Sequence, residues 1–108
     1  MNTQLVANEF LIKQGGANLL RGVESVGGHL YLTNFRLVFE SHSFNFQNGA
    51  TAIPLPYIVK MEKVWTKFLG IIPLAPNAIA VTVNTGEVFN FTLWGGEQWI
   101  SAIQNQLR

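Results

Sequence analysis

The stretch Gly28–Phe39, GHLYLTNFRLVF, reads as two short strands of alternating apolar residues joined by a tight reversal. Period-two alternation places Leu30 and Leu32 on one face of the first strand and pairs them with Leu37 and Phe39 on the second. The reversal itself is Thr33-Asn34-Phe35-Arg36, since Asn tolerates left-handed backbone angles and its amide bonds nearby main-chain groups.

Similar strands lie on either side of this hairpin. Upstream, Asn18–Val26 reads as a strand that ends at Gly27-Gly28, a pair suited to a two-residue turn, and Gly22 within it marks a bulge or a close backbone approach. Downstream, the hairpin's second strand runs to about His42, and Ser43–Gly49 is a polar loop anchored by Phe44 and Phe46. A fourth strand covers Ala50–Leu55, with Pro54 implying an edge or a strand end. The fifth, Ile58–Lys67, changes phase: Val59 and Met61 share one parity, Val64 and Phe68 the other. That change predicts a β-bulge at Glu62 and Lys63. Ala78–Asn84 and Val88–Leu93 form a last hairpin around Thr85-Gly86. The pairs Gly15-Gly16, Gly27-Gly28 and Gly95-Gly96 all read as turns, not as a phosphate-binding loop.

The end of the chain differs in kind. Glu97–Leu107 has no Gly or Pro, and Trp99, Ile100, Ile103 and Leu107 make one apolar helical stripe. Glu97 in the first turn and Arg108 at the end complement the helix dipole. About seven strands followed by one helix is an α+β, mainly β, arrangement in which the helix covers an open side of the sheet.

Composition narrows function further. At 108 residues the chain is expected to form one domain, residues 1–108, large enough to fold around a single core. The absence of Cys rules out disulfides and thiolate metal sites. Seven basic residues against six acidic ones give a net charge of +1, which argues against nucleic acid as a partner. With 48% hydrophobic and only 12% charged residues, some apolar surface is expected to cover a partner or a membrane. No apolar run is long enough to span a bilayer, and the N-terminus lacks the basic segment of a signal peptide. A cytoplasmic protein, peripheral to the membrane, is the expectation.

Four segments together resemble one family. GHLYLTNFRLVFESH (Gly28–His42) is similar to the signature hairpin of GRAM domains, relatives of the pleckstrin-homology (PH) superfold. AIPLPYIVKMEK (Ala52–Lys63) and FLGIIPLAPNAIAVTVNTGEVFNF (Phe68–Phe91) resemble the family's next two segments, in the right order. Glu97, Trp99, Ile100 and Ile103 match the start of its closing helix. The resemblance runs from about Glu9 to Leu107 and leaves residues 1–8 as a candidate disordered tail. It implies a seven-stranded antiparallel sandwich or partly open barrel capped by a C-terminal helix. It also implies a role in binding membranes, phospholipids or protein partners, without a cofactor.

The residues that would carry such binding are limited. PH domains commonly hold headgroups with basic residues at the first inter-strand loop, where this chain offers only Arg21, with Arg36 at the start of the third strand. A second basic group is Lys60, Lys63 and Lys67, with Lys60 and Lys63 emerging on one face if a bulge lies between them. Lysines there can also simply blunt a sheet edge. Beside them Trp65, Phe68, Leu69, Ile71, Ile72 and Leu74 crowd one connection containing Gly70, Pro73 and Pro76. This segment either folds over the open end of the sheet or docks on lipid or a partner. The alternative function is a self-associating adaptor, a homo-oligomer built on residues 65–74. A small-molecule carrier using Phe44, Phe46 and the helix is the least supported. Catalysis is not expected: His29 and His42 lie near strand ends, and no triad, paired carboxylates or metal-ligand spacing accompanies them.

Overall fold

A computed structural model describes residues 1–43, 50–66 and 74–107, and of residues 65–66 and 74–77 only the backbone course. The described residues form seven strands, a short 3-10 turn at Leu55–Tyr57 and one helix. The strands are β1 (Leu11–Arg21), β2 (Glu24–Thr33), β3 (Arg36–Ser41), β4 (Thr51–Pro54), β5 (Ile58–Thr66), β6 (Leu74–Val83) and β7 (Val88–Leu93), and α1 spans Gly96–Gln106. All pair antiparallel in one open sheet of order β4-β3-β2-β1-β7-β6-β5.

The central hairpin has the register its alternation predicts, with Leu30 opposite Phe39 and Leu32 opposite Leu37. These four face a core completed from the other half of the sheet by Ile79, Val81 and Phe91. The Phe39 and Phe91 rings meet across it at 6.0 Å. Helix α1 packs on β5 and β6 and drives Trp99 and Ile103 into the same core, as its apolar stripe predicts. Burying side chains of this size is worth about 1.5–3 kcal/mol each, so the helix is integral to the sheet. Pro54 ends β4, which is an edge strand. Phe44 and Phe46 lie outside the described residues.

The first hairpin departs from its sequence reading. Its turn is Gly22-Val23, between the paired residues Arg21 and Glu24, not Gly27-Gly28. Gly22 sits at φ 60°, the positive angle a two-residue turn requires and glycine adopts without strain. Two of the three glycine pairs are strand interior: Gly15 and Gly16 pair with Leu30 and His29, and Gly27 and Gly28 with Asn18 and Ala17. Gly28 is glycine because β3 passes directly over it. A Cβ there would collide with the Glu40 carbonyl and the Ser41 Cα. His29 accordingly lies inside β2 rather than near a strand end.

The bulge in β5 is also displaced. Lys60 to Val64 pair without interruption against Thr82 to Ala78, and the irregularities fall at Val59 and at Trp65. In an unbroken ladder Lys60 and Lys63 have opposite parity and point to opposite faces, contrary to expectation.

The close approach at Gly28 yields a direct test. Gly28→Ala is expected to cost about 2–3 kcal/mol in urea unfolding, because backbone must move to admit the methyl group. Gly16→Ala, whose Cβ would meet nothing within 4 Å, should change stability by less than about 1 kcal/mol.

Candidate functional site

Arg36, at the start of β3, is held by Glu9 on the face of the hairpin opposite the core. Its Nε donates to Glu9 Oε2 at 2.8 Å and its Nη2 to Glu9 Oε1 at 3.0 Å, a two-pronged ion pair. The Thr33 hydroxyl donates to Glu9 Oε2 at 2.7 Å and the Val6 amide to Glu9 Oε1 at 3.0 Å. Arg36 Nη2 also donates to the Gln4 carbonyl. The Glu9 side chain is fully buried, and the Arg36 hydrogen bond is the chief reason its carboxyl is lowered from 4.5 to about 2. Burial opposes that shift, and the Val6 and Thr33 bonds reinforce it.

The same network fastens the chain ahead of β1 across the outer face of the signature hairpin. Asn34 Oδ1 accepts from the Phe10 amide and Asn34 Nδ2 donates to the Asn8 carbonyl. Its role in the turn is therefore side-chain bonding; among described residues other than glycine, only Asn8 has positive φ. Farther along, the Asn2 and Thr3 amides donate to the Glu40 carboxylate. Burial pushes Glu40 upward, but these bonds outweigh it and its carboxyl lies below the usual range.

The remaining cations are dispersed. Arg21, beside the first turn, donates from Nη2 to the Thr51 hydroxyl at 3.1 Å, in a shallow cleft that also contains Glu87. On β5, an edge strand, Lys60 lies 3.7 Å from Glu62, and Lys63 donates to Glu97 of α1 at 2.8 Å. The Lys63 bond holds the Glu97 carboxyl below its ordinary value. Lys67, Phe68, Ile71 and Ile72 lie outside the described residues, and the side chains of Trp65 and Leu74 are likewise not described. Among the described residues no three metal-ligating side chains cluster.

A groove that the sequence reading did not anticipate runs along β1. It encloses about 520 Å³ and is lined by Lys13, Gly16, His29, His42, Trp94 and Trp99 among others. Lys13 Nζ stands 5.2 Å from the centre of the Trp99 ring, and the two imidazoles lie edge to face at 6.0 Å. Trp94 is 87% exposed at the end of β7. The only sequence signal was a large aromatic next to Gly95-Gly96.

An open antiparallel sheet plugged by a C-terminal helix defines a PH-like domain, and solved structures bear this out. The C-terminal domain of an unknown protein from Leishmania infantum superposes with a TM-score of 0.77 at 22% identity, over 94% of this chain and 86% of that one. The C-terminal PH domain of human pleckstrin gives 0.71 at 19% identity, over 96% of each chain. The Slm1-PH domain, solved in complex with phosphoserine, gives 0.59 at 14% identity, over 89% of this chain and 91% of that one. Among curated proteins none matches the chain. The GRAM domain family model matches residues 1–98, and the chain belongs to that family. GRAM and PH-like domains commonly bind lipids or proteins, are typically non-catalytic and often associate peripherally with membranes. No helix among the described residues is long and apolar enough to cross a membrane.

The Glu9 network makes a pH prediction. A carboxyl with a lowered folded-state pKa contributes its full stability above pH 4.5, and that contribution drains away as pH falls toward 2. Urea unfolding should therefore show a wild-type advantage over Glu9→Gln at pH 7 that shrinks by pH 3. At pH 7, Arg36→Leu should cost about 3 kcal/mol, because it strands a buried charge, while the Glu9→Leu/Arg36→Leu double variant should recover much of that loss.

Proposed function

We propose that this chain is a non-catalytic docking module that attaches peripherally to an anionic membrane through the tip of the β5–β6 ribbon. One observation carries this reading. Pairing of β6 with β7 ends at Ala78 opposite Thr92, yet β6 begins at Leu74 and pairs there with Thr66 of β5. The two strands thus run on together past the end of β7. The sequence they carry between them, Lys67 to Pro73 (KFLGIIP), is apolar apart from one cation, with Trp65 and Leu74 at its base.

Charge plays the smaller part in this docking. Lys60 and Lys63 each have a carboxylate neighbour, and a lysine near an anionic surface contributes about 1 kcal/mol. Inserting one large apolar side chain between lipids is worth about 1.5–3 kcal/mol. Attachment therefore rests on Trp65, Phe68, Ile71, Ile72 and Leu74, with Lys60, Lys63 and Lys67 orienting the approach. A phosphate-bearing headgroup is the matching lipid chemistry, consistent with phosphoserine in the Slm1-PH complex. A convergent headgroup clamp receives no support, since Arg36 is held by Glu9 and Arg21 is bonded to Thr51 in a cleft it shares with Glu87.

Sedimentation with phosphatidylcholine vesicles, with and without phosphatidylserine, tests the reading. Binding to the anionic vesicles at low salt is expected, with a loss of more than about tenfold for Ile72→Ser and about fivefold for Lys67→Ala. No binding at low salt would sink it. A stable dimer that Ile72→Asp converts to monomer, seen by light scattering, would replace it with self-association through the same tip.

A further inference from the structure

Strand β7 stops at Leu93, but both of its neighbours continue. On one side β6 starts at Leu74, ahead of its first β7 pair at Ala78. On the other, β1 pairs with β2 along its whole length but with β7 only over Ala17–Leu20. From Leu11 to Gly16 one edge of β1 therefore has no strand beside it among the described residues. Alternate residues of a strand direct N–H and C=O to opposite sides, so this stretch turns a row of main-chain donors and acceptors toward the groove.

The surroundings suit a second backbone. Gly15 and Gly16 put no side chain in its way, and the flank of Gly16 is open. Trp94 stands almost fully exposed where β7 ends, and Trp99 lies beneath Gly15. Among the described residues no carboxylate lines the groove, and Lys13 stands over the Trp99 ring with no acidic partner within ion-pair reach. His29 and His42 add hydrogen-bonding side chains to the groove.

We propose that this edge binds an extended acidic segment of a partner protein as an added strand, continuing the line of β7. Main-chain pairing with Lys13–Gly16 supplies the register, Trp94 receives an apolar side chain, and Lys13 meets a carboxylate. The repeat of main-chain groups matches a polypeptide, whereas a single lysine does not make a phosphate cradle. This site is separate from the β5–β6 tip and does not depend on membrane docking.

Selection of random peptides displayed on phage, against the intact chain, tests the proposal. Enriched sequences should be rich in Asp or Glu and β-branched residues, and should bind Trp94→Ala and Lys13→Glu at least tenfold more weakly. Synthetic copies should perturb the backbone amide resonances of Gln14, Gly15 and Gly16. Selection on Lys13→Glu should instead enrich basic peptides. Failure to enrich any sequence, equal binding to both variants, or perturbation confined to β5 would overturn the proposal. Concentration-dependent perturbation of these amides without peptide would also overturn it, by assigning the edge to a second copy of the chain.

Discussion

The uneven pairing of β1 is the constraint on which the rest of the structure depends. Along its whole length the strand hydrogen-bonds to β2, but only its last residues hold β7. The sheet must therefore part where β7 ends, and an apolar interior would face water through the opening. Helix α1 fills that opening from within, placing Trp99 against Gly15 and Gly96 against Ile79. Trp99 lies close beneath Gly15, 3.5 Å from where a Cβ would stand. What the helix leaves uncovered, among the described residues, is the main-chain edge of β1 and the face of Trp94.

A second feature is how fully the few charges are used within the fold. Arg36, one of the few cations near the first hairpins, closes an ion pair with a buried Glu9. A two-residue turn at Gly22-Val23 leaves no long loop in which basic residues could converge. Lys63 is tied to the helix through Glu97. Exposed pairs of this kind contribute little stability, but they reduce the field that β5 presents to an anionic surface. The docking proposed for this chain consequently leans on apolar side chains and main-chain groups more than on charge.

Much of the fold was legible in the sequence where alternation and burial agree. Leu30, Leu32, Leu37 and Phe39 specified their own register, Pro54 marked an edge, and the stripe of Trp99 and Ile103 marked a core helix. The first hairpin was misread because Gly-Gly is ambiguous. At Gly28 the residue is demanded by a neighbouring backbone passing overhead, which only tertiary structure reveals, while the turn used the less conspicuous Gly22. The β5 bulge was misplaced because the parity switch from Val59 and Met61 to Val64 looked like a slip at Glu62 and Lys63, whereas the irregularity falls at Val59 itself and the ladder runs unbroken from Lys60 to Val64. Glu9 gave no local signal, since its partners Thr33 and Arg36 are more than twenty residues away. The groove along β1 was hidden for the same reason: an unpaired edge is defined by where another strand stops.

Amide hydrogen exchange along β1, followed by NMR in the free protein, tests the central claim most directly. The account predicts slow exchange throughout Asn18–Leu20, where strands flank both sides. Within Lys13–Gly16 it predicts alternation of slow amides bonded to β2 with fast amides facing the groove. Uniform protection from Lys13 to Gly16 would contradict it, because the edge would then already be covered within the folded chain.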